Sequence, residues 1–266
     1  MARSTFYYHL RRIGQEDKYS ALRQRISFLY HLHKGRYGYR RIVLSLLSEG
    51  YGVNHKTVGR LMKEMDLKSC VRKVRYRSYK GECGKVAPNV LKRDFTAQGP
   101  NRKWATDVTQ ITIGSKKCYL SPVLDMYNGE IISYTLSERP ELKMVMDMFT
   151  KALKKVKDTK GLVLHSDQGW HYQHESYRKK LEEYEIIQSM SRKGNCLDNA
   201  VMENFFGIMK SELLYLHNWN SLEEFTRELK KYMHYYNYDR IKLKLKGINP
   251  VKYRAHSLNY SFNNSV

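Results

Sequence analysis

Cysteine is sparse in this chain: four residues in 266, Cys70, Cys83, Cys118 and Cys196, lie far apart with no Cys-x-x-Cys pair. That spacing gives no basis for a disulfide framework or a zinc knuckle. His31 and His33 ahead of Cys70 and Cys83 are also wrongly spaced for a His-His-Cys-Cys zinc module. No stretch approaches the roughly 20 apolar residues of a membrane-crossing helix. Met1 to Thr5 lead into no signal-peptide core, so a cytoplasmic protein is expected. A heptad run is missing too. Acidic side chains are scarce: 26 Asp plus Glu stand against 48 Lys plus Arg, a net charge of +22.

That excess favours a polyanionic partner, because each phosphate neutralised releases counterions. Nucleic acid is the first expectation; a solubilising surface or an anionic membrane are the plainer ones. The charge is uneven: residues 1–97 hold 22 basic and 7 acidic residues, net +15, leaving 26 and 19, net +7, for residues 98–266. An apolar content of 41% over this length can bury one good core and a satellite.

Helical periodicity comes first along the chain. Leu22, Ile26, Leu29 and Tyr30 predict a helix over Tyr19 to Leu32, and after Gly35 and Gly38 a second runs from Tyr39 to Ser48. Asn54 caps a third, about His55 to Met65, with Val58, Leu61, Met62 and Met65 inward. The order resembles a helix-turn-helix that offers His55, Lys56, Thr57 and Arg60 outward for DNA. An ordinary three-helix unit with a solvated basic face is the plainer reading. Residues 69–97 then lose all apolar period. Arg72, Lys73, Arg75, Arg77, Lys80, Lys85, Lys92 and Arg93 alternate there with Tyr76, Tyr79 and small residues, which reads as a basic linker along a phosphate backbone or a simple tether.

From Asn101 the pattern is that of strands: Trp104 to Ile113, Cys118 to Asp125 and, beyond the Asn128-Gly129 hairpin signal, Glu130 to Ser137. A helix follows near Leu142 to Val156, a strand Leu162 to Ser166, a helix near Tyr172 to Tyr184, and a short strand Ile186 to Met190. Ser221-x-x-Glu224 is a capping-box pattern opening a helix to about Asn237. Ile241 to Lys246 reads as extended, with Lys242, Lys244 and Lys246 on one side, and beyond Arg254 the polar tail is expected to fray.

The most informative stretch is Ser191 to Glu212. A Gly- and Lys-containing loop ends at Asp198, read as a helix N-cap with a Leu197–Met202 staple. Val201, Met202, Phe205, Phe206, Ile208, Met209 and Leu213 form one apolar arc, with Asn199, Glu203 and Lys210 along its edge. Two further acids fall at strand ends: Asp167, with 35 residues between it and Glu203, and Asp107, with 59 between it and Asp167. Three carboxylates brought together require a cation, and hard oxygen ligands suit magnesium or manganese. Asp125 is better read as a turn residue. His165 shares the strand face of Asp167 but is not assigned as a ligand.

These residues carry a resemblance. Lys-Trp-Ala-Thr-Asp-Val-Thr around Asp107, His-Ser-Asp-Gln-Gly around Asp167 and Ser-Arg-Lys-Gly-Asn-Cys-Leu-Asp-Asn-Ala ahead of Glu203 are similar to the motifs of DDE transposases of the IS-three family of bacterial insertion sequences. The catalytic core of that family is itself similar to that of retroviral integrases. Tyr-Gly-Tyr-Arg-Arg-Ile near the N-terminus and Pro-Val-Lys-Tyr-Arg near the C-terminus extend the match over most of the chain. The expected fold is α/β: an RNase H-like mixed sheet with helices on both faces, preceded by a small all-α helix-turn-helix domain. The expected divisions are 1–68 helical, 69–97 linker, 98–215 catalytic core and 216–266 a C-terminal helix and basic tail on the core.

The resemblance implies a DNA transposase in which Asp107, Asp167 and Glu203 hold two magnesium or manganese ions for strand cleavage and strand transfer. Lys210, Arg192 and Lys193 would hold flanking phosphates. It implies double-stranded DNA partners, namely terminal inverted repeats and target DNA, and a homo-oligomer assembled on DNA at the nucleoid. An upstream-frame product is implied as fusion or partner, since this chain starts as a second-frame product would. A DNA-binding regulator or remnant without catalysis, and a nuclease without strand transfer, are the alternatives.

Overall fold

The structure, a computed structural model, describes residues 3, 4, 6, 7, 17–70, 86–193 and 195–263. The chain divides into two compact units, Met1–Cys70 and Val71–Val266. Arg75, Arg77 and the other basic residues of 71–85 lie outside the described residues.

In the first unit, α1 (Ser20–Leu32), α2 (Tyr39–Ser48) and α3 (His55–Glu64) follow the apolar periods. Ile26, Leu29, Ile42, Leu46, Val58, Leu61 and Met62 are buried between them. The Asn54 side chain accepts from Lys56 N at 2.8 Å, satisfying one of the orphan amides at the start of α3.

The second unit is built on a six-stranded sheet. Its strands are β1 (Lys103–Thr106), β2 (Thr109–Ile113), β3 (Lys116–Asp125), β4 (Ile131–Ser137), β5 (Val163–Ser166) and β6 (Ile187–Met190). The first expected strand is two, because the ladder breaks at Asp107 and Val108. Thr106 pairs with Val123 and Thr109 with Leu120, so one register runs through both pieces against β3. At the break the Val108 N–H goes to the Asp107 carboxylate at 2.7 Å, a local bond that competes with the ladder. β4 flanks β3 on its other edge, while β1, β5 and β6 run parallel.

Alternation along the strands sends Ala105, Ile111 and Ile113 to one face, where α7 (Ala200–Met209) and α8 (Leu222–Tyr238) cover them with Met202, Phe205, Phe206, Phe225 and Leu229. Trp104, Val123 and Leu164 point to the other face. There Val145, Met148 and Phe149 of α4 (Leu142–Leu153) and Tyr177 and Leu181 of α6 (Glu175–Glu183) complete a second core. This is the mixed sheet covered on both faces that the element order predicts. No described helix is long and apolar enough to cross a membrane.

Several local expectations change. The helix expected over Tyr172 to Tyr184 is split into α5 (Trp170–Gln173) and α6 by His174, whose extended backbone (ψ 139°) interrupts it and whose ring caps α6. Residues 86–97, read as part of the linker, lie on the core: Leu91 is buried, and Val90 N donates to Ser189 Oγ at 3.0 Å. The Ile241 to Lys246 segment is a bridge from Lys242 to Ile248 followed by a 3-10 turn at Leu243–Leu245. Lys242 is no free cation: its ammonium donates to Gly129 O at 2.9 Å and to Tyr236 Oη at 3.1 Å. The tail beyond Arg254 continues in α9 (Pro250–Asn263) rather than fraying at once. Its anchor is tertiary, an Arg254–Asp125 ion pair at 2.8 Å that polarity alone could not predict.

Candidate active site

Parallel pairing places the first two acids. β1 and β5 run side by side with a constant offset of 60, Lys103 on Val163, Trp104 on Leu164 and Ala105 on His165. Carried just past the carboxyl ends of both strands, the same offset matches Asp107 with Asp167, whose charge acts on Asp107, next to the sheet face of Ala105. That face is the one α7 covers. α7 contributes Glu203 in its first turn and is followed directly by a π-helical turn, Lys210–Leu214. The edge residues Glu203 and Lys210 thus return to the end of β1, close enough for their charges to act on Asp107.

The electrostatics follow from this crowding. Burial raises the Asp107 carboxyl well above its ordinary 3.8, and the charge of Asp167 raises it further. The Val108 N–H opposes that rise, Glu203 adds to it, and Lys210 pulls the other way. Asp167 is raised as well, chiefly by burial, against the Gly169 N–H that its Oδ1 accepts at 2.9 Å and the neighbouring His171. Tyr172 is buried behind the pair, its hydroxyl 3.4 Å from Thr106 Oγ1 and its own ionisation pushed up by burial and by both aspartates. Among the described residues no three metal-ligating side chains are closed into a ready-made cage. The donor set nevertheless fits a hard divalent ion, since it is carboxylate oxygen throughout and carries negative charge that burial penalises.

The other candidates fall into different surroundings. Lys56 and Arg60 are exposed on α3, and the Arg60 guanidinium reaches Glu64 at 2.6 Å and the Tyr19 ring. Thr57 is half-buried. Lys193 is exposed, and Lys210 is half-buried near Asp107. Arg192 is exposed but binds Asp198 with both Nε at 2.9 Å and Nη2 at 3.0 Å.

Asp198 itself corrects an expectation. It does not cap α7, which begins after a 3-10 turn at Cys196–Asn199; Asn199 holds the cap position without a side-chain bond. Leu197 is exposed, so the staple with Met202 does not form. The Asp198 carboxylate is instead a buried anchor, held far below the usual carboxylate range first by Arg192 and also by Arg93, against its burial. Asp125 keeps the expected turn role, accepting Tyr127 N at 3.0 Å and Asn101 N at 2.8 Å. His165 is buried, its Nδ1 2.9 Å from Ser189 Oγ. Tyr172 and Arg93 had no sequence signal beyond residue type: one looked like core, the other like linker charge.

The order of the strands in the mixed sheet, with helices on both faces, is that of an RNase H-like integrase core. Models of the integrase core domain match residues 97–196 and 203–258, and a model of an HTH-like domain matches residues 17–76. The InsK protein of insertion sequence element IS150 from Escherichia coli (strain K12) is 54% identical over 252 residues, covering 95% of this chain and 89% of that one. The transposase of insertion sequence element IS904 from Lactococcus lactis subsp. lactis (strain IL1403) is 35% identical, over 88% of this chain and 93% of its own. The solved HTLV-2 integrase catalytic core domain is 19% identical with a TM-score of 0.48, over 59% of this chain and 98% of that one. The chain belongs to the IS-three family of DDE transposases. Polynucleotidyl transfer and dependence on a divalent metal follow from that membership.

Proposed function

We propose that this transposase cleaves the ends of its insertion sequence and joins them to target DNA at one site formed by Asp107, Asp167 and Glu203. The observation that carries the reading is the placement of two buried carboxyls just past the ends of adjacent parallel strands, near enough for the charge of Asp167 to act on Asp107. Two like charges in so dry a place repel unless one takes up a proton or a cation lies between them, and a divalent ion relieves both carboxylates at once. The three acids would hold two magnesium or manganese ions, which when bound supply Lewis-acid stabilisation to the attacking and leaving oxygens of an in-line displacement.

The chain's own residues do the rest. Phosphoryl transfer needs positioning and charge, not a protein nucleophile. Water is the attacking group in end cleavage, and the freed 3′-hydroxyl attacks in joining. Lys210, with Lys193 on the preceding loop, neutralises flanking phosphates, while Arg192, whose Nε and Nη2 are given to Asp198, shapes that loop. Lys56, Thr57 and Arg60 of α3 contact duplex DNA, and Arg75 and Arg77 track its backbone. The partners are terminal inverted repeats and target DNA, engaged by a homo-oligomer, with the upstream-frame product as fusion or partner.

The test is incubation of the purified protein with magnesium and a pre-cleaved element end bearing a free 3′-hydroxyl. Joined product is expected, and Asp167→Asn should lower joining by about 1000-fold or more while sparing DNA affinity. Cleavage without joining would favour a nuclease. Binding with no product under any metal would leave a regulator.

A further inference from the structure

Asp198 makes more bonds than a loop residue of ordinary structure requires. Its side chain is 0% exposed. It accepts from Arg192 N at 3.1 Å, Arg192 Nε at 2.9 Å and Arg192 Nη2 at 3.0 Å. Arg93 Nε adds a fourth bond at 2.9 Å and Asn89 Nδ2 a fifth at 3.0 Å. A carboxylate has about four lone-pair sites, so its capacity is filled. The Cys196–Asn199 turn runs straight into α7, so a pinned Asp198 fixes the start of the helix that carries Glu203.

Two of the donors come from outside the loop. Arg93 and Asn89 belong to the 86–94 segment, which lies along β6 through Met190 N to Pro88 O at 3.3 Å and Val90 N to Ser189 Oγ at 3.0 Å. Arg93 also gives Nη2 to Asn195 Oδ1 at 3.1 Å, gripping the loop at a second point. To reach both, the backbone adopts φ of 47° at Lys92 and 68° at Arg93, a left-handed conformation that residues with a Cβ avoid. Strain of this kind persists only where surrounding contacts demand it.

We infer that Asp198 is a positioning residue for transposition: by joining Arg93 to Arg192 it ties the 191–199 loop to the 86–94 segment and sets Glu203 against Asp107 and Asp167. The inference rests on the reading of those three acids as the metal-binding site. A displacement of about 1 Å at a reacting centre costs about 100-fold in rate, so loosening this tie is felt in turnover before it is felt in folding.

The full chain carrying Asp198→Asn, which keeps shape but loses charge, tests this. Joining of a pre-cleaved end should fall in kcat by about 30- to 100-fold with KM and DNA affinity within about threefold of wild type. Independently of activity, the magnesium concentration that gives a half-maximal rise in melting temperature should increase at least about fivefold. Arg93→Gln should shift both quantities in the same direction, and the double variant should be no worse than Asp198→Asn alone. If Asp198→Asn fails to fold, Arg93→Gln carries the test, since the three Arg192 bonds remain.

Wild-type turnover and magnesium dependence in Asp198→Asn would overturn the inference. So would a loss of activity that merely tracks a loss of folded protein, with unchanged magnesium dependence. Asp167→Asn separates the two readings: if it retains joining, the metal-site assignment fails; if it is inactive while Asp198→Asn behaves as wild type, only the positioning role fails.

Discussion

Pro122 stands opposite Asp107 across the β2–β3 and β1–β3 register, at the interval where the ladder is interrupted. Proline has no N–H to donate, and the Val108 N–H beside it is taken by the Asp107 carboxylate at 2.7 Å. A strand that would otherwise run unbroken from Lys103 to Ile113 therefore breaks where the Asp107 carboxylate is presented.

The site stores unfavourable charge, and Asp107→Asn should release it. Because the folded value of Asp107 is raised above 3.8, ionisation costs the folded state nothing in acid below that value, and the cost grows as pH rises through the folded value. Without divalent ions at pH 7, the variant should melt higher than wild type, each tenfold gain in proton affinity on folding being worth about 1.4 kcal/mol. The gain should vanish near pH 3. Equal melting at pH 7, or a larger gain in acid, would contradict the raised value.

Glu212 and Arg240 form a buried ion pair, with side chains 7% and 4% exposed and an N–O distance of 2.7 Å. Tyr232 Oη adds a bond to the same carboxylate at 3.1 Å. Removing one partner leaves a buried charge uncompensated, so Glu212→Gln should cost about 3–5 kcal/mol in denaturant unfolding. A cost below about 1 kcal/mol would mean that solvent reaches the pair.

Asn199 has the opposite fault. Both polar atoms of its amide are buried and lack a hydrogen-bond partner among the described residues. Asn199→Leu should raise the unfolding free energy by about 1–2 kcal/mol, because an unmet amide no longer has to be desolvated. Destabilisation by the same amount would indicate a partner for the amide in solution.

Two caps make a matched comparison. Asn54 Oδ1 accepts Lys56 N at 2.8 Å and Ser221 Oγ accepts Glu224 N at 3.1 Å. Glu224 also reaches back to Asn220 N at 3.0 Å, a one-residue variant of the capping box. Each Ala substitution should cost about 1 kcal/mol. Since they lie in different units, hydrogen exchange should show the first loosening α3 and the second α8. A uniform response over both units would contradict this division.

Most elements are legible in the sequence because their residues obey short-range rules: the apolar stripe of α4, the hairpin signal at Asn128-Gly129 and the caps at Asn54 and Ser221 each act within a few positions. Residues 86–94 look like linker because their partners, Ser189 and Asp198, lie about a hundred positions away and leave no local period. Asp198 looks like a cap for the same reason: an Asp before an apolar helix reads alike whether it meets amides or two arginines.

By itself the sequence determined the family, the alternation that puts Asp107 on the face of Ala105, and the helix edge that bears Glu203, since each depends on residue order and fixed backbone periods. The tertiary structure decided that β1 and β5 are neighbours with an offset of 60, and hence that Asp107 and Asp167 follow the ends of adjacent strands. It also decided which charges are anchors, Asp198 and Lys242 among them, and which stay on the surface, such as Lys56. Burial and charge pairing are properties of distance in space, and distance along the chain does not encode them.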